Sequence, residues 1–290
     1  MYAGSESELP RHSSYLRSGV AESLVLLGVF GDQASVVPNA RVRAGLIVRS
    51  LLDGATEDRW WSLSDNLREL AEAAPSVFLD SLEDSLAEKD PAVAVLFSED
   101  EGGVFGRAYH ADLLWALETL AWSRDYLPKV TDVLARLATI DPGGSWSNRP
   151  ARSLRQIFLL WRPQTNVGLD ERLKILGRLR KTNPKAAWAL FLDLYPKSHE
   201  MAHDSSVPRW RDFSGEAEVV TRQIIYRGAE QLGTWLLEDA GVDVDRWSEL
   251  ANRYPDLSPD LRAAFITRAL ELPGQIDDDE QRARLQSAMR

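Results

Sequence analysis

Apolar residues recur along most of the chain at intervals of three and four, the spacing that places them on one face of an α-helix. Ser14 to Phe30 shows this pattern and ends at Gly31. Asn39 to Leu52 lies between Pro38 and Gly54, the proline-before, glycine-after signature of a helix. Ser64, Asp65 and Asn66 offer caps for a segment reaching Ala74, and Pro75 opens the next, with Phe78, Leu79, Leu82 and Leu86 on one side. Leu113, Leu117 and Leu120 fall at i, i+4 and i+7. Ser123 is a cap for the following helix, whose Leu127, Val130, Leu134 and Leu137 form a 3.6-residue stripe ending at Asp141-Pro142-Gly143-Gly144.

Three further apolar faces follow: Leu154, Ile157, Phe158 and Trp161; Leu169, Leu173, Leu176 and Leu179; and Ala187, Trp188, Phe191 and Leu194. Glu216 to Asp239 reads as a long helix with Val220, Ile224, Leu232 and Leu236 inward. Shorter helices are expected over Asp245 to Tyr254, Pro259 to Leu272 and from Asp277 onward. No stretch alternates with the period of 2 that marks a strand, and Trp60-Trp61 and Val104-Phe105 are too isolated to assign. The expected fold class is all-α.

Above the single helix there is a repeat. Thr131 to Pro142 (TDVLARLATIDP) aligns without gaps on Leu173 to Pro184 (LKILGRLRKTNP), 42 residues later. Leu67 to Pro75 (LRELAEAAP) is a weaker third copy. Units of about 40 residues with two helices each are the size of HEAT and armadillo repeats, which stack to bury faces that one unit cannot cover. The expectation is an α-solenoid with Leu134, Leu137, Leu176 and Leu179 inside. The acidic, glycine-rich Ser98 to Arg107 is a candidate boundary, giving an N-terminal helical part (1–97), a repeat core (108–213) and C-terminal helices (214–290) continuous with it.

Composition narrows the function. The 290 residues carry 44% hydrophobic and 27% charged side chains, which excludes wholesale disorder. There is no cysteine, so disulfides, thiolate zinc sites and cysteine nucleophiles are excluded, and the expected compartment is cytoplasmic. No run approaches the ~20 apolar residues of a membrane helix, and Met1 to Gly19 lacks the build of a signal peptide. The net charge of −10 argues against a general nucleic-acid binder. It is unevenly spread: Asp53 to Glu101 holds 14 acids and 3 bases, Arg149 to Lys185 holds 10 bases and 2 acids. Such polarity suits two solvated faces or a surface that docks a partner.

Candidate chemistry is sparse. His199-Glu200-Met201-Ala202-His203 is a literal H-E-x-x-H, which on a helix would bring both imidazoles to one zinc with Glu200 as the base. The context opposes a helix: Pro196 precedes it, Asp204-Ser205 follows it, and no third histidine lies downstream. A zinc hydrolase on His199, His203 and Glu200 therefore stands as the alternative, and a HEAT-like alkyl-base DNA glycosylase using the basic Arg149 to Lys185 stretch as a second. There is no P-loop, no G-x-G-x-x-G after a strand and no nucleophile elbow, so no cofactor is expected. Two loop-flanked clusters combine tryptophan, arginine and proline, the first with Trp146, Arg149, Trp161 and Arg162, the second with Arg209, Trp210 and Arg211. Tryptophan and arginine are enriched in binding hot spots, so these seven are the partner-binding candidates. The bland alternative is that the tryptophans plug gaps between repeats and the arginines bond helix carbonyls.

LLWALETLAW, LARLATIDPGGSWSNRP, LRQIFLLWRPQT and VPRWRDF resemble the helical-repeat regions of bacterial STAND-type NTPases and related anti-phage defence proteins. The resemblance covers roughly Leu67 to Phe213. In that family the helical region senses a viral protein, and a separate NTPase module oligomerises and switches on an effector. The resemblance implies a sensor or interaction module whose partner is a protein, a phage product or an effector or NTPase subunit. The family supplies no catalytic residue for this region.

Overall fold

The structure, a computed structural model, describes residues 12–34, 37–98, 108–197, 199–213, 215, 218–272 and 280. Among them every regular element is helical, so the fold is all-α, and no helix is long and apolar enough to cross a membrane. The chain divides into two compact units. The first comprises residues 1–120 with 144–146 and 206–212; the second comprises 121–143, 147–205 and 213–290.

In the first unit α1 (Ser14–Phe30) packs on α2 (Ala40–Leu52) and on α4 (Leu67–Ala73). α5 (Pro75–Ala87) lies against α2 and α4, and α6 (Ala111–Leu120) against α4. α3 (Glu57–Leu63), capped by the Thr56 hydroxyl, packs on a 3-10 turn at Ala92–Phe97. The α1–α4 contact is close because Gly28 has no side chain: a Cβ there would lie 2.2 Å from the Ala73 carbonyl oxygen. Phe78, Leu79, Leu82, Leu113, Leu117 and Leu120 are all buried, as their spacing predicts.

In the second unit α7 (Leu127–Ile140) pairs with α8 (Pro150–Phe158), and α9 (Leu169–Thr182) with α10 (Pro184–Leu194). α10 also touches α7, α8 and α11 (Arg222–Ala240), which carries α12 (Val244–Arg253) and α13 (Pro259–Glu271). The repeat-aligned leucines Leu134, Leu137, Leu176 and Leu179 are buried, and so are Leu67 and Leu70 of the third copy. The corner that follows recurs in detail. Ala74 ends α4 and starts α5 at φ −147°, ψ 75°; Asn183 ends α9 and starts α10 at φ −142°, ψ 74°. Both precede a proline, whose ring bars the preceding residue from the helical region and so breaks the helix at that point. At Asp141 the corner departs (φ −63°, ψ 117°): Pro142 opens no helix, and α8 waits for Pro150.

Several boundaries differ from expectation. The long helix starts at Arg222, not Glu216, because the Thr221 hydroxyl caps Ile224 and Glu218 is engaged with α9. Within it Leu232 and Leu236 are buried, whereas Ile224 is half-exposed and Val220 precedes the helix. Leu173 is likewise only half-buried, and Ile175 takes the inner place. α8 stops at Phe158, so Trp161 is not on its face. Ser123 caps nothing with its side chain; its carbonyl accepts the Tyr126 and Leu127 amides, and α7 begins at Leu127. Trp60-Trp61 belongs to α3. Residues 99–107, which include Val104-Phe105, and all but Glu280 of the segment from Asp277 lie outside the described residues.

Candidate functional site

His199 to His203 forms a bend followed by irregular chain rather than a helix turn, so the i, i+4 geometry that a zinc motif needs is not formed. Both histidines are exposed. Glu200 is turned inward: its Oε1 accepts Arg155 Nη2 at 2.9 Å and its Oε2 accepts Trp161 Nε1 at 2.6 Å. Gln156 accepts the His203 amide, and the Gln164 side-chain amide donates to the His203 carbonyl and accepts the Ser205 amide. Among the described residues no three His, Asp or Glu side chains converge as a metal site. The stretch is a strap tied down by the side chains of α8 and the turn after it.

The strap continues as residues 206–212 in the first unit, and buried glutamates hold it there. Glu118 of α6 accepts the Ser206 amide. Glu72 of α4, 4% exposed, accepts three successive amides: Arg209 at 3.2 Å, Trp210 at 2.8 Å and Arg211 at 3.1 Å. Three converging N–H groups make a nest for an anion. The Arg211 guanidinium donates to the carbonyls of Glu72, Ala73 and Gly28, the orphan acceptors where α4 ends and α1 nears its end.

The seven partner-binding candidates therefore separate. Arg211 and Trp161 are committed internally, and Arg149 is paired with Asp141 at 3.0 Å, both side chains largely buried. For each of these three an acceptor within the chain is already in place. Arg162 pairs with Asp204 on the surface. Arg209 lies over the Trp210 ring, 4.6 Å from its centroid, and reaches Glu22. Trp146 is 36% exposed.

Sequence reasoning missed an open apolar surface. In the first unit a groove of about 610 Å³ is lined by Leu16, Val20, Leu24 and Leu27 of α1, Ile47 and Leu51 of α2, and Leu63 and Leu70. His12, Arg17, Ser23, Ser62 and Asn66 are among its few polar neighbours. Val20 is 62% exposed, Leu16 55% and Ile47 43%. Leu26 and Phe30 of α1 and Val42 and Leu46 of α2 are exposed as well. An open groove with apolar walls of this kind marks an interaction surface. A second hollow of about 520 Å³ lies between α9 and α11, with Lys174, Arg178 and Lys181 at i, i+4 and i+7 beside Trp235. Arg178 is paired with Asp132, and Arg180 with Asp239 and Glu238.

Among the described residues, Asp112 is a strongly perturbed carboxylate. From the first turn of α6 it accepts the Arg68 amide at 3.0 Å, closing the start of α4. Burial, with the nearby Glu69 charge adding to it, pushes the Asp112 carboxyl up from 3.8 to about 6, against the pull of the Arg68 amide. The folded form then holds a proton that the unfolded chain has released between those values. Stability is fully present below pH 3.8 and falls as pH rises to about 6, by about 3 kcal/mol at most. Asp112→Asn should flatten that part of the pH profile. Urea unfolding at pH 4, 5, 6 and 7 measures it, and an unchanged slope counts against a raised value.

Known protein families, curated proteins and solved structures were all compared with the chain, and none of the three yields a match. Fold and surface together define an all-α protein with an open apolar groove in its first helical unit.

Proposed function

We propose that the chain is a non-catalytic protein-interaction module, built as an α-solenoid of stacked helical pairs, that docks a partner protein on the α1–α2 face. The observation that carries this reading is the groove, with large apolar side chains that the described residues leave in water. Leaving a leucine-sized side chain exposed forgoes about 1.5–3 kcal/mol of burial, which binding would recover. The repeated proline corner and the α7–α8, α9–α10 pairing support the solenoid. The resemblance to sensor regions of anti-phage proteins supports a role in detecting a phage protein or engaging an effector or NTPase subunit.

The test is capture from phage-infected bacterial cells with tagged wild type and with Val20→Asp/Ile47→Asp. Both sites are exposed enough for an aspartate to stay hydrated, so the fold should be kept; circular dichroism checks it. The wild type should retain a specific protein that the double variant captures at least about tenfold less, an effect of about 1.4 kcal/mol. Equal capture by both proteins contradicts the assignment of this face.

A further inference from the structure

Resting on that reading, we propose that the occupant of the α1–α2 groove is an amphipathic helix of another protein, carrying carboxylates opposite Arg17 and Arg43. The shape favours a helix. Leu16, Val20, Leu24 and Leu27 line the groove at i, i+4, i+8 and i+11 of α1. At 1.5 Å per residue that wall runs about 16 Å, or about three turns of a guest helix. The opposite wall is also helical, with Ile47 and Leu51 one turn apart. Backbone groups inside both walls are used within their own helices, so the groove offers no edge for an added strand. What it offers is side-chain ridges, the setting into which an amphipathic helix lays its apolar face.

Charge selects among the other occupants. The groove lining includes Arg17 and His12 and no carboxylate. α2 carries Arg41, Arg43 and Arg49 and no acid. Arg17 donates to the Ser62 carbonyl at 3.1 Å and lies 3.9 Å from Asp65, yet its buried Nε has no acceptor among the described residues. The Arg17 guanidinium itself is about a third exposed, so its charge still faces the groove. Arg43, one turn before Ile47, is exposed and carries no ion pair among the described residues. A second copy of the chain would bring the same arginines together across a two-fold axis, which is unfavourable. A concave groove suits a rod better than a flat lipid surface.

The experiment uses the full chain and a displayed library of 18-residue amphipathic peptides with leucines at helical spacing and random flanking positions. Selection on the wild type, with Val20→Asp as the counter-target, should enrich peptides with Asp or Glu on the flanks. Selected peptides should bind Val20→Asp at least about tenfold more weakly. Arg43→Glu should weaken them about fivefold, and added salt should weaken them further. Four outcomes overturn the proposal: no enrichment over Val20→Asp, convergence on basic peptides, a concentration-dependent dimer that Val20→Asp abolishes, or tight binding to phosphatidylglycerol vesicles that Val20→Asp abolishes. If one of these occurs while capture in infected cells still depends on Val20 and Ile47, the occupant is wrong and the docking face stands. If capture is insensitive to both residues, the docking face itself falls.

Discussion

Glu218→Ala should destabilise the second unit by about 3–5 kcal/mol, the cost of leaving a buried charge without its partner. Arg172 on α9 is 1% exposed, its Nε and Nη2 have no hydrogen-bond acceptor among the described residues, and its Nη1 makes only a long bond to the Leu159 carbonyl at 3.5 Å. Burial lowers its pKa to about 10, so it remains charged at neutral pH. Glu218 stands 3.9 Å from Nη2 and also accepts the Leu169 amide at 2.7 Å, satisfying one orphan donor at the start of α9. Removing Glu218 takes away both the counter-charge and the cap. Arg172→Met removes the buried cation and leaves Glu218, about a third exposed, in water and on the Leu169 amide, so it should cost clearly less than Glu218→Ala. The double variant should then be less destabilised than Glu218→Ala alone. Urea unfolding of the four proteins reads this as a double-mutant cycle, and additive effects would contradict the coupling.

The second large effect lies at Glu72. Glu72→Ala removes the acceptor of three backbone amides, while the carbonyls of residue 72, Ala73 and Gly28 stay available to the Arg211 guanidinium. Hydrogen bonds to a charged group contribute about 1.5–3 kcal/mol each, but water reaching the freed strap offsets part, so a net loss of about 3 kcal/mol is expected. Glu72→Gln keeps an acceptor oxygen and should lose about half as much. Because residues 206–212 are held by side chains rather than by a ladder, the loss should also appear locally, as new proteolytic cleavage near Arg209 and Arg211. Unchanged melting and an unchanged trypsin pattern in Glu72→Ala would contradict the clasp.

How much of this was legible in the sequence differs from element to element. The stripes Leu127, Val130, Leu134, Leu137 and Leu113, Leu117, Leu120 announce their helices and their burial together, because one periodicity encodes both. The Ala74-Pro75 and Asn183-Pro184 corners were visible as aligned prolines. α3 was not, since seven residues show too little of a 3.6-residue period to separate Trp60 inside from Trp61 outside. Trp161 was misplaced because Leu159 and Leu160 prolong the apolar run of α8 after its helix has ended. The Glu72 clasp was hidden because a glutamate on an amphipathic helix reads as a solvated charge, and only a segment 137 residues away makes it a buried acceptor. The groove was hidden for the converse reason. Leu16, Val20 and Ile47 sit at helical spacing like core residues, and periodicity cannot tell an apolar position that is covered from one that is waiting for a partner. His199 and His203 are the opposite case, a motif whose flanking Pro196 and Asp204-Ser205 already told against the helix it needs.

The central claim is that the α1–α2 face is where a partner protein docks. Hydrogen exchange of the full chain, alone and with the protein captured from infected cells, measures this directly at the level of segments. Protection should rise over residues 16–27 and 43–51 on adding the partner and be lost in Val20→Asp/Ile47→Asp. Protection gained only in the second unit, with 16–27 and 43–51 exchanging as in the free chain, would contradict it.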